Sequence, residues 1–111
     1  MEKIIEKIKE VIKLLVEKRY SEVEEIINKN RLTRFEIEEA IKIYGKELVL
    51  LPESEYEKLN IIQIDNKFEK EFSIRFNLWT IEEGRSDLSI ELSVVDRINK
   101  IEIRLENIIV F

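Results

Sequence analysis

The chain has 111 residues, a formal net charge of −5, and neither cysteine nor histidine. This length suits one domain, and the two missing residue types exclude disulfides, zinc sites built on cysteine, and catalysis by a histidine base. The negative charge disfavours a nucleic-acid partner, because such binding depends on Lys and Arg neutralising phosphates, and no apolar run approaches the roughly 18 residues that a membrane helix needs. We therefore expect a soluble, cytoplasmic protein with a single domain over residues 1–111, no membrane contact and no nucleic-acid partner.

The first part of the chain, residues 2–45, has the pattern of helices. In the first predicted helix, residues 2–18, apolar side chains recur with the period of an amphipathic α-helix, and Glu and Lys occupy the opposite face. The apolar stripe consists of Ile4, Ile5, Ile8, Val11, Ile12 and Leu15. We expect this stripe to face the core.

Two further helices are predicted from capping boxes, in which a hydroxyl accepts a backbone N–H and a Glu three residues later reaches back. The pairs are Ser21 with Glu24 and Thr33 with Glu36. The third helix is predicted to end at Gly45, because glycine readily takes the left-handed conformation of a helix C-terminus. The sequence therefore predicts three N-terminal helices.

After the helices the apolar period changes to two, which predicts a sheet over residues 48–111. Residues 48–51 form either a short strand or an extended linker, and residues 61–64 form a strand. Three alternating rows follow, namely Phe72, Ile74, Phe76 and Leu78; Leu88, Ile90, Leu92 and Val94; and Ile101, Ile103 and Leu105. The alternation breaks at Glu106 and Asn107, which predicts a bulge or a last strand that is buried on both sides.

Pairing these rows predicts an antiparallel meander with one apolar face and one polar face. The first hairpin is predicted to place Leu78 opposite Leu88 and Arg75 opposite Glu91, and the second to place Glu91 opposite Arg104. The polar face then carries an Arg75, Glu91, Arg104 line and either faces water, is covered in a dimer, or lines a ligand pocket. The expected fold class is α+β, with three N-terminal helices packed on one face of a C-terminal antiparallel β-meander of about four strands.

One segment, residues 78–88, combines the only Trp of the chain with a glycine and four charged residues in a strand-turn-strand pattern. Ser86 would need an activating base to act as a nucleophile, and the acids match no known metal-binding loop, so we predict no catalytic, cofactor-binding or metal-binding residue. The segment either pins the hairpin or forms a protein contact, because Trp and Arg are enriched in binding hot spots. The candidate interaction surface consists of Trp79, Glu82, Glu83, Arg85 and Asp87.

At this segment the sequence resembles a family of small uncharacterised bacterial proteins, in which a strand ends in Leu-Trp-Thr, passes through Glu-Glu-Gly-Arg-Ser-Asp-Leu and continues as an alternating strand. Residues 78–92 match this pattern, and a looser likeness extends to Tyr44-Gly45 and Leu51-Pro52. The resemblance implies no established activity. In its order of helices and sheet the chain also resembles the cystatin or NTF2-like group, which includes enzymes, binding modules and immunity proteins that neutralise toxins.

These observations favour three functions. The first is a non-enzymatic protein-interaction module, such as an immunity-type neutraliser of a cationic toxin domain, because an acidic surface speeds its encounter with a basic partner. The alternative is an NTF2-like small-molecule-binding protein or carboxylate-dependent enzyme, which requires a cavity between helices and sheet with Tyr44 or Tyr56 pointing into it. The third is a structural homodimer formed by the sheet.

Overall fold

The computed structural model describes residues 2–27, 32–64, 69–97 and 100–110, and in these ranges three α-helices precede five strands. In chain order the elements are α1 (Glu2–Val16), α2 (Tyr20–Ile26), α3 (Arg34–Tyr44), β1 (Leu48–Val49), a 3₁₀ helix (Glu53–Lys58), β2 (Asn60–Ile64), β3 (Lys70–Thr80), β4 (Gly84–Arg97) and β5 (Lys100–Val110). The helices pack on one face of an antiparallel sheet, which confirms the predicted α+β class.

Helix α1 forms because its apolar residues recur on one face, and five of the six residues in the predicted stripe are buried. Ile5 is half-buried against the same core, and Leu14 is buried as well. Glu2 in the first turn suits the positive end of the helix dipole, and Lys13 in the last turn suits the negative end. This helix therefore supplies one side of the core and exposes a charged face.

The start of α2 differs from the prediction. The helix begins at Tyr20, one residue before Ser21, and its N-cap is Arg19, whose guanidinium pairs with Glu17 and Glu22. Because a capping hydroxyl must stand just outside the helix, Ser21 lies two positions too late to cap it. The predicted capping box at Ser21 is therefore wrong.

Ser21 and Glu24 bind the start of α3 instead. The Ser21 hydroxyl accepts a hydrogen bond from the Arg34 guanidinium at 2.7 Å, and the Glu24 carboxylate accepts one from the Arg34 backbone N–H at 2.7 Å. The second capping box is present as predicted, with Thr33 as N-cap and reciprocal bonds to Glu36. These contacts fix α2 against α3.

The sheet is built around β3. Strand β4 pairs with one edge of β3, while β1 and β2 lie end to end along the other edge, and β5 pairs with the far edge of β4. Strand β2 is therefore an edge strand, and its apolar row predicted a strand correctly. Ile62 and Ile64 lie opposite Ser73 and Glu71, on the face of the sheet away from the core, which explains why both are exposed. Ile27, at the end of α2, forms a parallel bridge to Ile103 on the outer edge of β5.

The first hairpin, β3–β4, has the predicted register over most of its length. Phe76 faces Ile90 and Arg75 faces Glu91. Beyond the Asn77–Ser89 pair the register shifts, so that the single residue Leu78 faces the three residues 86–88 of β4. A bulge therefore replaces the predicted Leu78–Leu88 pair, although both side chains are buried in the core.

The second hairpin, β4–β5, is displaced by two residues from the prediction. Arg104 lies opposite Ser93, and Glu91 lies opposite Asn107. The register shift at Glu91 leaves one extra residue, Glu106, so the break in alternation is a bulge as one of the two predictions stated. The last strand is not buried on both sides, because Val110 is 60% exposed; residue 111 lies outside the described residues.

One apolar core joins the helices to the sheet. Its fully buried large side chains come from both parts of the chain and are Ile4, Ile8, Ile12, Leu15, Ile27, Ile37, Ile74, Leu78, Leu88, Ile90, Leu92 and Ile103. The last helix ends at Tyr44 and the first strand begins at Leu48, so a short connection turns the chain from the helical layer to the sheet. This connection lies beside the β3–β4 turn, where the candidate site is found.

Candidate functional site: the hairpin end

The turn between β3 and β4 is closed by Thr80 and Gly84. Thr80 is 1% exposed, and its hydroxyl accepts a hydrogen bond from the Glu83 backbone N–H at 3.0 Å and donates one to the Glu83 carboxylate at 3.2 Å. Gly84 has φ +71°, where any other residue would be strained, and a Cβ there would lie 3.5 Å from Cζ3 of Trp79. The half-buried Trp79 ring therefore packs over Gly84 and covers the turn.

Ser86 fills the bulge next to this turn. Its side chain is buried, donating a hydrogen bond to the Leu78 carbonyl at 2.7 Å and accepting one from the Leu88 N–H at 3.1 Å. The Asn77 amide donates to the Ser86 carbonyl at 2.7 Å, and the Asn77 side-chain oxygen accepts from Arg85 at 3.2 Å. The bulge thus has side-chain partners for backbone groups that the strand ladder cannot pair.

Tyr44, the last residue of α3, connects the helices to the hairpin. Its hydroxyl donates a hydrogen bond to the Glu83 carboxylate at 2.7 Å and accepts one from the Asp87 N–H at 3.1 Å. Desolvation, together with the hydrogen bond to Glu83, raises the pKa of the Tyr44 phenol above its ordinary value. The phenol is therefore protonated at neutral pH and acts as a structural donor, not as a base.

A second connection lies between β1 and the same turn. The Glu82 carboxylate accepts a hydrogen bond from the Glu47 N–H at 3.0 Å, and the Ile81 N–H donates to the Glu47 carbonyl at 2.9 Å. Because Glu47 directly precedes β1, these two bonds extend the pairing of β1 with β3 into the turn. We call residues 79–87 together with Ile43, Tyr44 and Glu47 the hairpin end.

The predicted site residues all lie at the hairpin end, but most of their polar groups hold the fold. Glu82 and Glu83 accept hydrogen bonds from other segments, and Arg85 donates one to Asn77. Of these four charged side chains, that of Asp87 alone is exposed without a hydrogen bond to the described part of the chain. Ser86, for which the sequence provides no activating base, is 2% exposed. Among the described residues, no three acidic side chains converge to hold a metal ion.

The outward surface of the hairpin end combines exposed apolar groups with negative charge. Ile43 is 75% exposed and Ile81 is 64% exposed. Its charged residues are four carboxylates and one guanidinium, those of Glu47, Glu82, Glu83, Asp87 and Arg85. The hairpin end thus offers exposed apolar side chains together with net negative charge, which suits a protein contact better than a reaction site.

The polar face of the sheet carries only part of the predicted line of charges. The Arg75 guanidinium pairs with the Glu91 carboxylate at 2.7 Å, as the register predicted. Arg104 does not extend this line; its guanidinium lies 3.9 Å from the Glu102 carboxylate on its own strand. The prediction that Arg104 faces Glu91 is wrong, because the second hairpin is displaced by two residues.

Neither tyrosine proposed for a ligand cavity points into the space between helices and sheet. The Tyr44 hydroxyl binds the hairpin end, and the Tyr56 ring lies under the Lys9 ammonium group, 4.9 Å from its nitrogen. The core between the two layers is lined by aliphatic and aromatic side chains, including Ile8 and Phe76. The described structure therefore gives no support to the NTF2-like binding or enzymatic alternative.

Sequence reasoning missed the contribution of Tyr44, Thr80 and Asn77 to this region. Tyr44 contacts residues about 40 positions away in the chain (separations of 39 and 43), and no local pattern predicts such a contact. A signal for Thr80 was present, because Thr80 and Glu83 have the same spacing as a capping box. The alternation of β3 puts Asn77 on the polar face and predicts no further role for it.

Comparison with known proteins gives the family of the chain. No helix in the described ranges is both long and apolar enough to cross a membrane. Neither a curated protein nor a solved structure matches the chain significantly. A family model described as a domain of unknown function, DUF7668, matches residues 12–111, which include α2, α3, the whole sheet and the hairpin end. The chain belongs to this family, and the expectation of an uncharacterised domain family is confirmed.

Proposed function

We propose that the protein is a non-enzymatic interaction module that binds a cationic protein through the outward surface of the hairpin end, as an immunity protein binds a toxin domain. One observation carries this proposal: the polar groups of residues 78–88 that could have done chemistry are engaged in the fold, while Ile43, Ile81 and Asp87 of the same region face solvent. The cystatin or NTF2-like group, which the order of helices and sheet resembles, includes immunity proteins as well as enzymes and binding modules, so this function is compatible with that resemblance.

The charge of the hairpin end selects the partner. The hairpin end has four carboxylates, one guanidinium and two exposed isoleucines, and the chain as a whole has a net charge of −5. Such a surface attracts a basic protein at long range and contacts it through apolar groups at short range. An intracellular, cytoplasmic location would bring the module to such a partner after the partner enters the cell.

The test is capture of the partner from a lysate of the source organism by wild-type protein and two variants of equal charge. Asp87→Lys changes the hairpin end, whereas Glu57→Lys makes the same charge change on the exposed 3₁₀ helix. We expect a basic protein to be recovered stoichiometrically with wild type and Glu57→Lys, and to be reduced about tenfold with Asp87→Lys, because charge reversal replaces attraction by repulsion.

Failure to recover a stoichiometric partner, or equal reduction by both variants, would contradict the proposed surface.

The alternative is a homodimer, in which the partner is a second copy of the chain. Its contact surface would be the polar face with Arg75, Glu91 and Arg104. In that case light scattering of the purified chain would report about twice the monomer mass of 13.4 kDa.

A further inference from the structure

A second surface, rich in lysine, lies at the other end of the sheet. An open groove of about 700 Å³ runs between the outer side of α1 and the end of the β4–β5 hairpin. Six of its lining residues are cations, namely Lys3, Lys7, Lys9, Lys13, Arg97 and Lys100. Three carboxylates, those of Glu6, Glu10 and Asp96, also line it, so lysine ammonium groups and carboxylates alternate along the groove.

Several of these cations are available to a ligand. Within the described ranges, Lys3, Lys13 and Lys100 form no ion pair, whereas Lys9 is held by the Glu53 carboxylate at 2.9 Å. The Lys7 ammonium group lies 3.7 Å from Glu10, a distance that binds it weakly at an exposed position. Both walls of the groove therefore contribute free positive charge, one from the helix and one from the hairpin.

The kinds of cation present favour carboxylate ligands over phosphate. Phosphate is best held by the fork of an arginine. Arg97, the one arginine among the described lining residues, is already held by Glu69 at 3.0 Å and by Glu102 at 3.2 Å. The remaining cations are lysines, whose flexible ammonium groups suit single carboxylates at varied positions. The carboxylates of Glu6, Glu10 and Asp96, which also line the groove, disfavour a ligand with continuous negative charge, such as a nucleic acid.

The spacing of the helix lysines fits an extended chain. Lys3 and Lys7 are four residues apart, which corresponds to a rise of about 6 Å along α1. In an extended peptide, side chains on one face repeat every second residue, or about 7 Å. Ile101, half-buried beside the core, gives the groove an apolar floor. We propose that this groove binds an extended acidic peptide segment of a partner protein, with Glu or Asp at alternate positions.

The probes are two fluorescein-labelled peptides of equal composition, one alternating glutamate with serine and one with all glutamates in a block. The Lys3→Glu/Lys100→Glu variant reverses one charge on each wall, and Lys42→Glu/Lys46→Glu is its control, with the same charge change at exposed positions away from the groove. We expect the alternating peptide to bind more tightly, and its Kd to rise about tenfold in the groove variant but little in the control.

Fluorescence anisotropy at low ionic strength measures these affinities, and circular dichroism shows that both variants fold. Absence of saturable binding, or equal weakening in both variants, would overturn the groove as a peptide site. Equal affinity for the block peptide would overturn the extended register, and tighter binding of inorganic polyphosphate or of a DNA oligonucleotide would overturn the carboxylate ligand. The proposal is independent of the hairpin end, because Asp87→Lys should leave peptide binding unchanged.

Discussion

Leu78→Ala is expected to lower the free energy of unfolding by about 2–5 kcal/mol, the range for removing a buried leucine when the cavity stays partly open. Leu78 is 1% exposed and stands alone opposite residues 86–88 of the bulge. The irregular backbone around it is held by side-chain hydrogen bonds, so it cannot easily collapse into the space that the leucine leaves. Urea denaturation followed by the fluorescence of Trp79 measures the change.

The matched control for this variant is Leu50→Ala. Leu50 is 55% exposed in the segment after β1, so the same change of side chain should cost less than about 0.5 kcal/mol there. If the two variants lost similar stability, the burial of Leu78 opposite the bulge would not contribute to the core, and the packing described for this part of the sheet would be wrong.

Ser86→Ala should lower the free energy of unfolding by about 2–4 kcal/mol, although it removes a single oxygen. The substitution leaves the Leu88 N–H and the Leu78 carbonyl without the hydroxyl, and each buried polar group left unpaired costs about 1–3 kcal/mol. A catalytic serine gives the opposite result, because removing a reactive group leaves stability unchanged or improves it. Thermal and urea unfolding of the variant distinguish the two roles.

Ser73→Ala is the control for this effect, because Ser73 stands half-buried on the polar face of β3 opposite Ser93. We expect it to change stability by no more than about 0.5 kcal/mol. A Ser86→Ala protein as stable as Ser73→Ala would show that the bulge does not depend on the serine hydroxyl.

The parts of the fold that the sequence predicted are those set by a single periodicity. The stripe of α1 and the alternation of β3 and β4 each bury one face, and that burial decides the element and its inward side. The Thr33 cap was also predictable, because the hydroxyl, the Glu36 carboxylate and the helix start are local to one another. Long, strongly patterned elements therefore needed no tertiary information.

The register of the second hairpin could not be obtained in the same way. Shifting β5 by two residues along β4 keeps every apolar side chain on the same face, so the apolar pattern accepts either register. The observed one pairs Arg97 with Lys100 and absorbs Glu106 in a bulge. The position of Arg104 is decided by the length of the turn and by the bulge. The alternation of apolar and polar residues encodes neither of them.

The candidate site was predicted in location but not in its organisation. The segment with Trp79 and Arg85 was recognised from its composition, yet its main partner, the Tyr44 hydroxyl, comes from a helix more than 30 residues earlier (39 to Glu83). Likewise Glu82 binds the backbone of Glu47 rather than a ligand. Because these contacts exist only after α3 packs on the sheet, the sequence left the choice between a fold contact and an active surface open.

The central claim is that residues 80–88 join α3 and β1 to the sheet through their polar groups. Amide hydrogen exchange measured by NMR tests it most directly, because four N–H groups in this region are bonded to other segments or to side chains, those of Ile81, Glu83, Asp87 and Leu88. We predict that these amides exchange slowly, with protection that approaches that of the strand interior. Exchange of Asp87 and Ile81 at the rate of an unstructured peptide would contradict the claim.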